Sequence, residues 1–363
     1  MRIAIFHELD FGGAKRVVME FAKRLKKDHI VNLYYVDEDK DNHIENCFNN
    51  TYFYKFNSKT WKGNNWKVRL YKDTIELIKL YKLHRKISKD VKKKQYDYIF
   101  IHPSKYTQAP FLLSLLKNKC IYYCQEPLRM VYDPAVSSNI KNINFPKNIY
   151  EFLNRKIRKW IDSENFKNAF IVLTNSNYSK EFIEKPYGKK ARVCYLGVDT
   201  DVFKPLNIDK YYDVLFIGNK DKGYKLLIDA LKFFKVKPRV KTIFREKGQS
   251  ITDNALAIVY NKSKILVALN QNEPFGLIPL EVMSCGVPVI GVNEGGYKES
   301  IIDGKTGYLI ERNARTLESL ILKLLNNDKL RIDMGKDARK YIEKNWTWDK
   351  SIEQFLSIIK NAE

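Results

Sequence analysis

The chain has 363 residues, of which 44% are hydrophobic and 29% are charged, and its formal net charge is +23 at pH 7. This composition excludes a disordered protein, and no apolar run approaches the length that spans a bilayer. The charge predicts attraction to an anionic partner. Because no nucleic-acid-binding module is recognisable, we expect a membrane surface rather than a specific nucleic acid.

The N-terminus predicts a strand, a glycine loop and a helix. Alternating apolar residues in 1–6 indicate the strand, and a core-facing stripe in 14–27 indicates the helix. Gly12 and Gly13 between them let the backbone approach a bound group closely, although a simple tight turn explains them equally well. The apolar start is too short for a signal peptide, which predicts a cytoplasmic protein.

The five cysteines are odd in number and lie in or beside apolar runs, which predicts reduced core residues. Cys120 and Cys124 have the spacing of a metal pair but lack a second Cys/His pair nearby. We therefore expect no zinc site.

Two basic amphipathic helices are predicted, at 67–94 and 149–160. Lysine-rich helices with apolar faces and a nearby tryptophan such as Trp66 are typical of proteins that lie on an anionic membrane surface. Ordinary solvated helices of a lysine-rich chain have the same pattern. The sequence leaves open whether the protein is peripheral on the inner face of the cell membrane.

Two further strands, 96–101 and 121–124, each end at polar residues. His102 follows the first strand, and Gln125, Glu126 and Arg129 follow the second; ligands lie beyond such strand ends in doubly wound sheets. Glu126 is a candidate to orient or deprotonate an acceptor hydroxyl, and Arg129 to hold a lipid-linked phosphate. A capping glutamate and a surface arginine explain the same residues equally well.

The second half of the chain opens with a strand at 213–218, followed by a loop that carries Lys220 and Lys222. A glycine and lysines between a strand and a helix are typical of a phosphate clamp, where positive charge offsets a diphosphate. Ordinary surface lysines remain the alternative. Asp199 and Asp201 have the spacing of a metal-binding pair, but we interpret them as a linker turn.

The most informative stretch, 265–296, predicts a strand, a loop, a crossover helix and a second strand. Glu273 lies just before the helix, with Pro274 in its first turn, and Glu281 follows two turns later. Carboxylates accept hydrogen bonds in pairs, as adjacent hydroxyls of a sugar or a ribose donate them. The alternative is that Glu273 is favoured by the helix dipole and Glu281 is solvated.

The start of the same helix offers backbone donors. The N–H groups of Phe275, Gly276 and Leu277 have no partner within the helix, and such a terminus is a natural seat for phosphate. One element therefore has the groups to hold a sugar, a phosphate and a ribose.

The string Gly-Leu-Ile-Pro-Leu-Glu at 276–281, with the later Glu294-Gly295-Gly296, resembles the signature of glycosyltransferase family 4. These are retaining, sugar-nucleotide-dependent enzymes with the GT-B fold, and the segment from Gly197 matches the stretch that joins their two domains. The resemblance implies an α/β protein with two Rossmann-like doubly wound domains facing a cleft. It places an acceptor-side domain at 1–200, a shortened nucleotide-sugar domain at 201–345 and a last helix, 346–363, that returns to the first domain.

The resemblance also implies roles for residues. Glu273 would hold sugar hydroxyls and Glu281 the ribose, while Gly12, Gly13 and Lys222 would face the diphosphate of a UDP- or GDP-linked donor. The family uses no cofactor or metal, and the departing phosphate helps to deprotonate the acceptor on the same face of the sugar. The expected function is transfer of a hexosyl group to a hydroxyl of a glycan or lipid-linked acceptor, in cell-surface glycan or glycolipid synthesis.

Three positions depart from the family pattern. Asn219 stands where an arginine is usual, with Lys220 as its substitute, and no histidine occurs near Gln125. A short basic run at 235–250 replaces the usual strand, helix and strand. The alternative function is therefore a non-catalytic GT-B protein that binds a glycan or a partner.

Overall fold

The structure is a computed structural model that describes residues 1–9, 13–36, 45–58, 66–132, 145, 147–218, 220–244 and 251–362. The chain divides into two compact units. The first comprises Met1–Thr174, Lys180–Val193 and Asn361–Glu363, and the second comprises Asn175–Ser179 and Cys194–Lys360. Each unit has its own parallel sheet, which confirms the predicted α/β class with two Rossmann-like domains.

The first unit contains a seven-stranded sheet in which neighbouring strands are parallel. Its strands are β1 (Arg2–His7), β2 (Ile30–Tyr35), β3 (Asn50–Phe53), β4 (Tyr98–Ile101), β5 (Cys120–Tyr123), β6 (Ile171–Thr174) and β7 (Arg192–Val193). The order β3-β2-β1-β4-β5-β6-β7 reverses between β1 and β4. In doubly wound sheets this reversal opens a crevice beyond the carboxyl ends of the two strands.

The parallel strands of the first unit are connected mainly by helices, as crossovers require. These are α1 (Gly13–Leu25), α2 (Trp66–Tyr71), α3 (Leu77–Lys93), α4 (Leu112–Leu116), α5 (Arg129–Tyr132), α6 (Lys147–Lys167) and α7 (Asn177–Tyr187), and a short 3₁₀ turn spans Glu45–Cys47. A π-helical turn, Lys72–Glu76, joins α2 to α3. The predicted helix 67–94 is therefore confirmed in extent but is interrupted near its start.

The central strands are apolar because both of their faces are buried. Ile3 of β1 pairs with Val31 on one side and with Tyr98 on the other, and neither Ile3 nor Val31 has exposed surface. One cluster of the core joins the sheet to its helices through Phe6, Tyr34, Ile87, Ile101, Leu112, Tyr122, Phe166, Val172 and Ile183, among others.

The second unit contains a five-stranded parallel sheet in the order β12-β11-β10-β8-β9. Its strands are β8 (Tyr212–Gly218), β9 (Val240–Phe244), β10 (Ser263–Ala268), β11 (Val289–Val292) and β12 (Gly307–Ile310). Its helices are α8 (Lys225–Leu231), α9 (Asp253–Asn261), α10 (Leu277–Ser284), α11 (Tyr297–Ser300), α12 (Ala314–Leu325), α13 (Asp328–Asn345) and α14 (Trp348–Lys360), and a π-helical turn spans Lys220–Tyr224. This order reverses between β8 and β10.

The basic run at 235–250 was expected to lack a strand, and this expectation was wrong. Val240 to Phe244 form β9, which pairs with β8 in the register Val214 to Val240. Because β9 lies at the edge of the sheet, its residues are only half-buried, and a polar, lysine-bearing sequence is compatible with that position. Residues 245–250 lie outside the described part of the chain.

The last helix, α14, packs on the segment that precedes the second sheet. The hydroxyl of Ser351 donates to the carbonyl of Tyr195, and Gln354 accepts a hydrogen bond from the Tyr195 N–H at 2.9 Å. Residues 194–198 belong to the second compact unit. The predicted boundaries after 200 and 345 stay a prediction.

Two further features bear on the sequence-based expectations. All five cysteines are buried thiols, as predicted for core residues. In the described ranges, no helix combines the length and the apolarity that crossing a bilayer requires.

A buried carboxyl connects α6 to its surroundings in the first unit. Asp162 has no exposed surface; its Oδ1 accepts from the Ala109 N–H at 2.9 Å, and its Oδ2 accepts from the Tyr187 hydroxyl at 2.5 Å. Burial raises the pKa of Asp162 from 3.8 to about 6, against the two hydrogen bonds, which lower it. The charged form is therefore costly in the folded protein.

Replacement of Asp162 by Asn should change how stability depends on pH. Between about pH 4 and pH 6 the folded protein keeps a proton on Asp162 that the unfolded chain has released. As pH rises through this window, the contribution of this group to the free energy of unfolding of the wild type therefore falls by at most about 3 kcal/mol. Asp162→Asn has no such group. In urea unfolding at about pH 4 and about pH 6, its free energy of unfolding should therefore fall less between the two pH values than that of the wild type. A difference between the two proteins that stays constant with pH would contradict this assignment.

Candidate functional site

The loop between β10 and α10 forms the centre of the candidate site. It begins at the carboxyl end of β10, where the sheet order reverses, and ends at Gly276, the N-cap of α10. Pro274 is not in the first helical turn as predicted, because Gly276 has a left-handed φ of +90° and the helix starts at Leu277. The described residues provide no acceptor for the N–H groups of Phe275, Gly276 and Leu277.

Glu273 is fixed in this loop by its backbone and its side chain. Its carbonyl accepts from the Gly296 N–H at 2.9 Å, and its Oε2 accepts from the Asn270 side-chain amide at 3.2 Å. The next carbonyl, that of Pro274, accepts from the Ser176 hydroxyl at 2.5 Å. The half-buried carboxylate is therefore held beside the start of α10, as predicted.

The glycines of the signature permit close backbone contact. A Cβ on Gly295 would lie 2.3 Å from the Glu273 carbonyl oxygen, and one on Gly296 would lie 2.5 Å from the Phe275 Cα. A Cβ on Gly276 would lie 2.5 Å from the Tyr297 ring. Since real Cβ atoms do not approach so closely, glycine is required wherever these loops touch.

Glu281 is buried, so the alternative that it is solvated was wrong. Only 2% of the residue is exposed, and its Oε2 accepts from the Tyr260 hydroxyl at 2.7 Å. The sequence did not single out Tyr260, because a tyrosine in the last turn of an apolar helix has no distinctive spacing. The contact of Glu281 with a ribose stays a prediction.

Arg312 is a second residue that sequence reasoning missed. Its Nε and Nη2 donate to the two carboxylate oxygens of Glu294 at 2.6 and 2.8 Å, and its Nη1 donates to the Leu269 carbonyl at 3.2 Å. This fork joins the segments that follow β10, β11 and β12. The only signal in the sequence is an arginine just after the strand 307–310.

The segment after β8 approaches the same loop. Gly223 has φ +109° and leaves no room for a Cβ, which would lie 1.9 Å from the Leu269 carbonyl oxygen. A Cβ on Gly218 would lie 2.5 Å from the side-chain oxygen of Asn270. That Asn270 oxygen is buried, and no described residue donates a hydrogen bond to it. Asn270 is therefore a further polar group at the point where the sheet order reverses.

The predicted lysine clamp is described only in part. Lys220 is exposed, and its ammonium lies 5.1 Å from the centre of the Phe244 ring on β9. The side chain of Lys222 and all of Asn219 lie outside the described residues. Phosphate binding by these lysines stays a prediction.

In the first unit, a cluster of buried polar side chains follows β1 and β4. Glu8 Oε1 lies 2.6 Å from His84 Nε2, and neither side chain is exposed. His102 is also fully buried, and its ring packs on Phe100 and Tyr123. No described residue bonds to either ring nitrogen of His102. Its predicted contact with an acceptor stays a prediction.

Burial keeps the imidazoles of His7, the last residue of β1, and His102 neutral. It lowers the pKa of His7 to about 3 with a smaller contribution from nearby Lys15, and it lowers that of His102 to about 3 with a contribution from His7. The sequence did not single out His7, Glu8 or His84. The position of His7 and Glu8 directly after a predicted strand was the available signal.

The other predicted first-unit residues are more exposed. Arg129, at the start of α5, lies 3.8 Å from the carboxylate of Glu126, and each side chain is about two-fifths exposed. The amide nitrogen of Gln125 is buried, with no partner among the described residues. Gly13 is the first residue of α1, and Gly12 lies outside the described part of the chain. Their predicted roles stay predictions.

The described ranges contain no group of three or more His, Cys, Asp or Glu side chains that could hold a metal ion. The metal independence implied by the resemblance stays a prediction.

Comparison with sequence families identifies the chain. Residues 11–202 match the family described as Glycosyltransferase Family 4, and residues 247–341 match Glycosyl transferases group 1. The first match alone covers more than half of the chain. The chain belongs to glycosyltransferase family 4. The first match contains β2 to β7 of the first sheet and the second contains β10 to β12 of the second sheet, which agrees with the GT-B architecture.

Individual relatives of this glycosyltransferase-family chain match it over only part of its length. An uncharacterized glycosyltransferase of Methanocaldococcus jannaschii is 28% identical over 205 residues, which cover 51% of this chain and 58% of that protein. The chain spans between 26% and 58% of the length of three curated relatives that it matches.

Solved structures share the whole fold. Sucrose-phosphate synthase from Thermosynechococcus elongatus is 16% identical with a TM-score of 0.71, and the match covers 99% of this chain and 98% of that one. HepE of Anabaena, in complex with UDP and glucose, is 16% identical with a TM-score of 0.67 and covers 99% of each chain. At these identities, the likeness extends to the fold alone.

Gly276→Ala should destabilise the second unit more than Gly304→Ala. Both glycines have positive φ, so each substitution carries about 1–2 kcal/mol of left-handed strain. At Gly304 a Cβ meets nothing within 4 Å, whereas at Gly276 it meets the buried Tyr297 ring. Urea unfolding should show a further loss of about 1–3 kcal/mol for Gly276→Ala. Equal losses would mean that the contact with Tyr297 is not restrictive.

Two of the five histidines should not titrate near neutral pH. Because the pKa values of His7 and His102 are lowered to about 3, their ring signals in NMR spectra should stay those of neutral imidazole between about pH 5 and pH 8. His7→Gln and His102→Gln assign the signals. As pH falls below about 6.5, each group should lower stability, since only the unfolded chain takes up the proton. A signal assigned to His7 or His102 that titrates near pH 6.5 would contradict their burial.

Proposed function

We propose that the chain is a retaining glycosyltransferase that moves a hexosyl group from a UDP- or GDP-linked donor to a hydroxyl acceptor. The observation that carries the proposal is the position of Glu273, fixed beside the start of α10 at the reversal point of the second sheet. Ligands of doubly wound sheets bind at such points. HepE, which shares the fold, is bound to UDP and glucose in its structure and supports a nucleotide-linked donor.

Glu273 is assigned to the sugar. Its carboxylate is held at one oxygen by Asn270, and it lies in a loop that glycine contacts make rigid. A fixed carboxylate can accept hydrogen bonds from two adjacent hydroxyls without the cost of ordering its side chain on binding. The Asn270 side-chain oxygen, buried beside Gly218, is a further acceptor for a donor hydroxyl or amide.

Glu281 is assigned to the ribose, with Tyr260 as the residue that positions it. The Tyr260 hydroxyl donates to Oε2, which fixes the carboxylate on α10. The hydrogen bond also lowers the cost of keeping a carboxylate in a buried place.

The diphosphate is assigned to the N–H groups at the start of α10. Phe275, Gly276 and Leu277 have no acceptor among the described residues, and the partial positive charge of a helix start favours an anion. These groups, with Lys220 and Lys222, would stabilise the negative charge that develops on the leaving group. We assign no bound metal to this step. The departing phosphate would then take the proton of the acceptor hydroxyl on the same face of the sugar.

The acceptor is assigned to the first unit. Glu126 and Arg129 are accessible groups beyond the end of β5, and Arg129 suits the phosphate of a lipid-linked glycan. The basic helices of this unit would place the protein on an anionic membrane that holds such an acceptor, on its cytoplasmic side.

Donor binding and transfer should both respond to the two glutamates. Glu273→Gln and Glu281→Gln each remove a charge-assisted hydrogen bond worth about 1.5–3 kcal/mol, so each should weaken donor binding or transfer roughly 10-fold to 150-fold. Tyr260→Phe should raise KM for the donor with a smaller effect on kcat, because it only loosens Glu281. Calorimetry with a panel of UDP- and GDP-sugars and a product assay measure both quantities.

A matched control is available in the same unit. Glu353 is exposed, and its one ion pair among the described residues is with Lys350, one helical turn away, so Glu353→Gln should leave binding and transfer unchanged. If Glu273→Gln and Glu281→Gln behave like this control, the site assignment is wrong. If the wild type binds donors but transfers nothing to any acceptor, the non-catalytic alternative is favoured.

A further inference from the structure

Helix α6 has its polar side toward the protein. Its five buried residues are Glu151, Asn154, Asp162, Asn165 and Phe166, of which four are polar or charged. These four recur at spacings of three, eight and three residues, which places them on one face of a helix. A surface helix of a globular protein normally has the opposite arrangement, with its apolar stripe toward the core.

Residues of α2 and of the π-helical turn form hydrogen bonds and ion pairs with this polar face. Arg69 of α2 pairs with the Glu151 carboxylate, with Nη2 donating to Oε2 at 2.7 Å. Asp73 of the π-helical turn accepts from the Asn154 amide at 2.9 Å and also pairs with the Arg158 guanidinium. Ion pairs and hydrogen bonds therefore hold this face of α6 against the protein, together with the buried ring of Phe166.

The opposite face of α6 is apolar and exposed. Phe152 is 51% exposed and Trp160 is 66% exposed, values that are large for aromatic residues. The exposed apolar residues recur every three to four positions and form one stripe, together with Phe145 just before the helix: Ile149, Phe152, Leu153, Ile157 and Trp160. A contiguous stripe of this kind indicates an interaction surface rather than scattered surface hydrophobics.

Lysines accompany the stripe. Lys156 and Lys159 are exposed within it, and the Lys156 ammonium lies 4.4 Å from the centre of the Phe152 ring. Long lysine side chains can lay their stems along apolar surface and extend their charges outward. In the same unit, α3 exposes Lys79, Lys82, Arg85, Lys86 and Lys89.

We propose that the exposed stripe of α6 inserts into the interfacial layer of an anionic bilayer, with the helix lying in the membrane plane. Apolar side chains would enter the boundary between head groups and acyl chains, Trp160 would lie at the head-group level, and the flanking lysines would meet lipid phosphates. Charge selects a membrane over a second copy of this chain, since a net charge of +23 repels a copy and attracts anionic lipid. This inference does not depend on the proposed sugar transfer.

Insertion differs from adsorption by charge in its response to salt. Attraction between exposed charges is screened when the Debye length falls to about 3 Å near 1 M salt, whereas burial of apolar side chains is not. The full-length wild type should therefore float with vesicles of phosphatidylcholine and phosphatidylglycerol at low salt and retain part of that binding at high salt. Pure phosphatidylcholine vesicles should bind it more weakly at low salt.

The double variant Phe152→Gln, Trp160→Gln should lose at least about tenfold in partitioning to the mixed vesicles and should retain no binding at high salt. Lys156→Glu with Lys159→Glu should lose binding mainly at low salt. The matched control is Val236→Gln with Ile332→Gln, which removes two exposed apolar side chains of the second unit and should bind as the wild type does.

Three outcomes would overturn the proposal. The stripe variant could bind vesicles as tightly as the wild type, or binding of the wild type could vanish entirely at high salt, which would leave charge alone. The wild type could instead sediment as a dimer that the stripe variant abolishes, with no vesicle binding, which would assign the surface to a second copy. Circular dichroism of the stripe variant should match that of the wild type, since the substituted side chains are exposed. Transfer to a water-soluble acceptor should also be unchanged, so the proposal can fail without the enzymatic one.

Discussion

The candidate site depends on direct contact between two backbone segments. The loop before α10 and the Glu294-Gly295-Gly296 turn touch so closely that no side chain fits between them. The Arg312 fork then joins the Leu269 carbonyl to Glu294 and holds the same two segments from outside. A side chain can change its rotamer, whereas the backbone of a packed loop cannot move in this way. Backbone contact therefore fixes Glu273 more firmly than side-chain packing would. A preorganised carboxylate of this sort is what recognition of a polar ligand requires.

Most of the fold could be predicted from local patterns. Short apolar runs predicted the central strands because strands buried on both faces have no polar alternation. The edge strand β9 was missed because its half-buried position tolerates lysines and a mixed pattern. The π-helical turn at Lys72–Glu76 was also missed, since the helical pattern of 67–94 does not mark it; Asp73 within it contacts residues of α6 about eighty positions away in sequence.

The site was predictable only where one segment supplies it. Glu273, Gly276 and the helix start lie within one short stretch, and the structure brings them together. Tyr260 and Arg312 reach the site from 21 and 43 positions away, and a tyrosine or an arginine has no signal that names its partner. Likewise, the Glu8 and His84 pair joins a strand end to a helix 76 positions further on. Such contacts follow from the topology, which local spacing does not contain.

The reversed polarity of α6 has a consequence for the protein in water. An exposed stripe of aromatic and aliphatic residues favours self-association wherever two copies meet, whatever surface the stripe serves. The excess of lysine opposes this, since like-charged molecules repel each other before their apolar faces can touch. The net charge of +23 therefore keeps molecules in solution apart, although α6 by itself would promote aggregation. Screening the charge with salt, or neutralising it with polyanions, would remove this repulsion.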